Sequence, residues 1–140
     1  MARTVRQVMN RDVVVCDAAT SIVDVARLMH DRDVGDVLVT DDDRLIGIVT
    51  DRDIVVRCIA ETIGPIDTVT AADVASREVA TVQPDSDAEQ AVRIMRASSV
   101  RRLPVVEQDK PVGVVSIGDV AIETDPNSAL ADISSAPPNN

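Results

Sequence analysis

Apolar positions along the chain change period in a fixed order. Val13, Val14 and Val15 form a β-branched run that suits a strand. Asp17 to Ser21 then supply residues of the kind that cap helices. Ile22, Val25, Ala26 and Met29 fall at i, i+3, i+4 and i+7, which lays one apolar stripe along a helix. Val37 to Val39 and Ile46 to Val49 flank the polar turn Asp41-Asp42-Asp43-Arg44, the pattern of a hairpin. A second helix is expected to start at Thr50. The unit reads βαββα.

The same order returns 66 residues later (70 − 4 = 66), without a gap from Thr4/Thr70 to Val55/Ala121. In that register Thr4, Val8, Arg11, Val13, Arg27, Met29, Val34, Val39, Gly47, Val49 and Asp53 meet identical residues. Val79 to Val82 repeat the first strand, Ala88, Ala91, Val92 and Met95 the stripe, and Leu103 to Val106 with Val112 to Val115 the hairpin. A unit of about 55 residues is marginal alone, so the copies are expected to pack as one pseudo-twofold α+β globule. Residues 57–69, with Gly64-Pro65, read as a linker. The expected division is residues 1–64 for the first repeat and the start of the linker, and 65–124 for the second. Residues 125–140, rich in Ser, Ala, Pro and Asn, are expected to hold little fixed structure.

Composition narrows the function. The 140 residues carry 14 Lys+Arg against 24 Asp+Glu, a net charge of −10. That balance disfavours binding to a phosphate backbone, which needs clustered cations. Phe, Trp and Tyr are absent, so no ring can stack on a base. No apolar run approaches the ~20 residues of a membrane span, and residues 1–9 lack the apolar core of a signal peptide. Together with only two cysteines, Cys16 and Cys58, this points to a reduced cytoplasmic setting, in which both pack as small apolar residues. A disulfide between them is left open by the sequence. No Walker lysine motif, zinc pattern or Ser/His/Asp grouping is visible, so an enzyme is not expected, nor any metal or catalytic cofactor.

The most informative segments are Gly47-Ile48-Val49-Thr50-Asp51-Arg52-Asp53 and Gly113-Val114-Val115-Ser116-Ile117-Gly118-Asp119. Two copies of Gly-h-h-Thr/Ser-x-x-Asp (h, apolar), each closing a βαββα unit, resemble the CBS domain family over residues 4 to about 123. Paired domains of that family, Bateman modules, bind adenine nucleotides and related ligands in regulatory roles. A Gly opening the strand is expected to admit a ligand to the backbone. A hydroxyl at the strand-to-helix turn sits beside N–H groups that favour phosphate. By resemblance, Asp53 and Asp119 would hold ribose, and Thr50 and Ser116 would contact phosphate. The same residues also match a helix capping box, with Asp in place of Glu or Gln.

Further ligand contacts are expected from aliphatic and basic residues. Val13, Val14, Val79 and Ala80 are placed to sandwich an adenine or, equally, to serve as plain core. Arg101-Arg102-Leu103-Pro104-Val105 resembles the family's phosphate-adjacent segment, and a guanidinium fork suits phosphate. The first repeat has Gly35-Asp36-Val37-Leu38-Val39 there, so the two clefts are expected to be unequal. His30 reads as a helix-end surface residue, and Asp41 to Asp43 as a solvated turn rather than a calcium loop. The resemblance thus implies a regulatory module sensing AMP, ADP or ATP, expected to dimerise with itself and to act in trans on an unidentified protein partner. A module with degenerate, empty clefts that works through protein contacts is the alternative.

Overall fold

A computed structural model describes residues 3–61 and 64–124. Its elements run α1 (Val5–Val8), β1 (Val15–Asp17), α2 (Ile22–Arg32), β2 (Asp36–Asp41), β3 (Arg44–Thr50), α3 (Asp51–Asp53), a π-helical segment (Ile54–Ala60) and a 3-10 turn (Ile66–Thr68). They continue with α4 (Ala71–Val74), α5 (Ala88–Ser98), β4 (Arg102–Glu107), β5 (Lys110–Ser116) and α6 (Ile117–Thr124). This is an α+β chain of two repeats.

Two compact units cut across those repeats. One holds Val14–Val79, and the other joins Met1–Val13 to Ala80–Asn140. Each repeat therefore lends its opening segment to the other repeat's core. In the unit of residues 14–79, β1 runs parallel to β2, and β2 runs antiparallel to β3. The far edge of β3 is bridged by Ser76, with Ile48 N–H donating to Ser76 O at 3.1 Å and Ser76 N–H to Ile48 O at 2.9 Å. The other unit repeats this at an offset of 66, with Asn10 bridging Val114 and Val82 bridging Val105.

Packing follows the sequence stripe with one exception. Ile22, Val25 and Met29 of α2 are buried with Val37, Val39 and Val49 of the hairpin and Val69, Ala71, Val74 and Ala75 of the opening segment. Ala26, assigned to the stripe by its spacing, is exposed. Ala88, Ala91 and Met95 of α5 are buried with Val5, Val8, Leu103, Val105 and Val115. Both hairpins close through two residues with positive φ, Asp42/Asp43 and Gln108/Asp109, as tight hairpin turns require.

Three boundaries depart from expectation. The first strand starts at Val15, not Val13, and its mate is a single bridge at Val82. Residues 57–60, expected in the linker, complete the π-helical segment instead, where Glu61 N–H donates to Val56 O at 3.1 Å. There Arg57 Nη1 donates to Val74 O at 3.0 Å, which ties the segment to α4. The tail expected over 125–140 lies outside the described residues.

Gly47 and Gly113 lie inside β3 and β5, not at their openings, each next to a register shift in the hairpin. A Cβ on Gly47 would stand 2.8 Å from Ser76 O and 3.1 Å from Ala75 Cβ. The space expected to admit a ligand is therefore filled by the chain's own backbone. At Gly113 the nearest atom would be Met9 Sδ at 2.7 Å, with Asn10 O at 3.0 Å. A thioether can swing aside, which leaves at position 113 a bridged carbonyl at 3.0 Å, against one at 2.8 Å at position 47. Gly47→Ala should therefore lower the thermal midpoint by several degrees, corresponding to overpacking of about 1–3 kcal/mol, and Gly113→Ala by clearly less. Equal midpoints for the two variants in calorimetry would contradict this account.

Candidate functional site

In each unit the inner ends of the hairpin meet the first turn of the following helix. In the unit of residues 14–79, Asp36 lies opposite Thr50 across the β2–β3 ladder. Thr50 caps the helix: Asp53 N–H donates to Thr50 Oγ1 at 3.0 Å, and Thr50 N–H donates to Asp53 Oδ2 at 2.9 Å. In the other unit, Arg102 lies opposite Ser116. Asp119 N–H donates to Ser116 Oγ at 3.0 Å, and Ser116 N–H donates to Asp119 Oδ2 at 2.9 Å. Both motifs are reciprocal capping boxes, which satisfy helix-end donors that would otherwise be unpaired.

A capping box does not exhaust these carboxylates. Asp53 and Asp119 are half-buried, and each commits one oxygen to the cap. An ionised carboxylate accepts about four hydrogen bonds, so each retains capacity for an outside donor. Capping also fixes the side chain in place, and a held acceptor loses less entropy when it takes a ligand hydroxyl.

The remaining expected residues divide between the units. Val14 is half-buried against the core of residues 14–79, with Thr50 and Asp53 in the same unit. Ala80 is half-buried against the other core, with Arg101, Arg102, Ser116 and Asp119 in its unit. Arg101 and Arg102 are exposed at the start of β4, and Arg101 O accepts Ile117 N–H at 2.9 Å.

The two helix starts differ in a way the motif alone does not reveal. At the first, Asp51 N–H donates to Gly35 O at 2.9 Å and Arg52 N–H donates to Asp51 Oδ1 at 2.8 Å. With Asp53 N–H on Thr50 Oγ1, all three N–H groups of α3 are occupied by the chain itself. The expectation of N–H groups left available for phosphate fails at this turn. Asp51 was missed in the sequence reading. It fills a variable place in the motif, taken by Ile117 in the second copy, so residue type alone gave no signal.

Elsewhere the described residues carry little chemistry. His30 is exposed at the end of α2, with Nδ1 3.1 Å from Asp31 Oδ1. Among the described residues no group of three or more His, Cys, Asp or Glu side chains is arranged to hold a metal ion. None of their helices is long and apolar enough to cross a membrane.

The tandem repeat and its fold recur in known proteins. The family model described as CBS domain matches twice, over residues 5–59 and 71–123. The chain belongs to the CBS domain family. The uncharacterized protein MK0525 of Methanopyrus kandleri is 34% identical over 119 residues, covering 84% of this chain and 60% of that relative's length. A CBS-fold crystal structure, Hypoxic Response Protein I with two coordinated zinc ions, is 31% identical, with a TM-score of 0.79 over 86% of this chain and 98% of that one. CBSX2 in complex with AMP is 27% identical, with a TM-score of 0.73 over 86% of this chain and 94% of that one.

The two thiols stand apart from the CBS motif. Cys16 and Cys58 are both free and buried. Burial, and secondarily the neighbouring Asp17 carboxylate, push the Cys16 thiol up to about 11. The unfolded chain therefore loses this proton at lower pH than the folded one. The contribution is fully present below the thiol's ordinary pKa and is lost as pH rises toward 11. Stability measured by urea unfolding should fall between about pH 9 and 11, and Cys16→Ala should flatten that fall. An unchanged pH profile in the variant would refute the assignment.

Proposed function

We propose that this CBS pair is a non-catalytic regulatory module that binds an adenine nucleotide, AMP, ADP or ATP, and acts in trans on a protein partner. The observation that carries the reading is the second-repeat junction. Arg101 and Arg102 stand at the start of β4, and Arg102 lies opposite Ser116, which with a capped, half-buried Asp119 forms the strand-to-helix turn. Guanidinium forks match phosphate, and the spare capacity of Asp119 matches ribose hydroxyls. Ala80, in the same unit, offers an aliphatic face to the base in a chain without aromatic rings. The structural neighbour that holds AMP supports the same chemistry.

The competing reading, a ligand-free interaction module, treats the same four side chains of the two boxes as caps alone. Asp119→Asn separates the two. The amide oxygen can still accept Ser116 N–H, whereas the amide nitrogen only donates, so the cap survives and the acceptor for ribose is lost. Adenine nucleotides at millimolar concentration should raise the melting midpoint of the parent chain by several degrees, more than guanine or pyrimidine nucleotides do. Asp119→Asn should weaken binding roughly 10- to 150-fold, the equivalent of about 1.5–3 kcal/mol, with little loss of stability. A flat response across the nucleotide panel leaves the interaction module in front.

Self-association belongs to the same reading. Val55 and Ile59, four residues apart on the π-helical segment, are each 58% exposed. Paired apolar side chains of that size on one helix face favour contact with a second copy. Light scattering is expected to give twice the 14.9 kDa chain mass, and Val55→Asp combined with Ile59→Asp to give a single chain. A parent protein that stays at 14.9 kDa across micromolar concentrations would sink the dimer.

A further inference from the structure

Building on the nucleotide-binding reading, we infer that the chain takes one AMP, at the second-repeat junction, and that Asp51 and Asp36 close the first-repeat junction to phosphate. The two junctions share a backbone design and differ at five paired positions, Gly35/Arg101, Asp36/Arg102, Thr50/Ser116, Asp51/Ile117 and Arg52/Gly118; the acids Asp36 and Asp51 are found only at the first, which also carries the exposed Arg52. At the second, two guanidinium groups stand at the start of β4. At the first, a side chain at position 35 would crowd the Asp51 carboxylate. A Cβ on Gly35 would lie 3.3 Å from Asp51 Oδ2. The missing arginine is thus replaced by an acid leaning over the same backbone.

Hydrogen bonding works in the same direction as charge. Gly35 O, Asp51 Oδ1 and Thr50 Oγ1 accept the three N–H groups of α3, so a phosphate arriving there meets carboxylate oxygens and spent donors. At α6 the outer two mates of these bonds persist, Ile117 N–H to Arg101 O and Asp119 N–H to Ser116 Oγ. The middle one has no counterpart from the neighbouring side chain, because Ile117 carries no acceptor for Gly118 N–H. The wider field has the same sign. Residues 14–79 carry 14 Asp+Glu against 6 Arg, whereas the rest of the chain carries 10 acidic side chains against 8 basic ones. A like charge within a few ångströms of a phosphate weakens its binding by roughly tenfold or more even at a surface.

Titration of the full chain with AMP, read by isothermal calorimetry and equilibrium dialysis, tests this. The parent protein should bind one equivalent per chain, and Arg102→Asp should reduce that one site at least tenfold. Asp36→Arg combined with Asp51→Ile, which removes both acids from the first junction and places two of the second-repeat residues there, should raise the stoichiometry to two. Asp51→Asn serves as a milder variant and should add a weak second site. Two equivalents on the parent chain overturn the inference while leaving the nucleotide reading intact, and so does a folded double variant that still binds one. A parent chain that binds no AMP removes the reading itself, and the inference with it.

Discussion

The fold depends on a close approach between backbones. Ser76 O sits where a side chain at position 47 would be, and Asn10 O lies almost as near the equivalent point at Gly113. Only glycine permits this, and the two hydrogen bonds that follow fasten each opening segment along the edge of the other repeat's hairpin. Several properties descend from that contact. It covers part of a sheet edge that would otherwise offer bare N–H and C=O groups. It also brings Val69, Ala71, Val74 and Ala75 into one core, and Val5 and Val8 into the other. A repeat taken as a sequence unit is therefore not a packing unit.

The same economy governs the junctions. A capping box starts the helix after each hairpin, and the residues that make it are the ones with ligand chemistry. Thr50 with Asp53 and Ser116 with Asp119 have nearly the same bond lengths. The scaffold is thus held constant, and differences in chemistry come from side chains around it. Gly35, Asp36 and Asp51 on one side, and Arg101, Arg102 and Ile117 on the other, change charge and donor availability without altering the cap.

Most of the architecture was legible because it is written in periodicity. Helices α2 and α5 follow from their stripes, and both hairpins from apolar runs around a polar turn. The 66-residue register aligned even the isolated bridges of the two units. The exchange of opening segments was not legible, since pairing between residues far apart leaves no local pattern. Neither was the π-helical segment: Ile54 to Ala60 and the α-helical Val120 onward are similarly apolar, and widening of a turn is decided by packing. Of the candidate site, the two boxes and the inequality of the junctions could be read from residue types. Asp51 could not, because its effect lies in where its carboxylate rests.

The exchange of segments also sets an order of events during synthesis. Residues 14–79 are continuous in the chain, so every strand and helix of that unit has been synthesised before the second hairpin is made. The other unit must wait. Val5 and Val8 need Leu103, Val105 and Val115, so the first helix emerges early yet finds its core only when the last strand arrives. Closing that long loop costs entropy that grows only slowly with its length. Its main effect is delay: a nascent chain carries one nearly complete unit and an unpaired, partly apolar opening segment until the second hairpin appears.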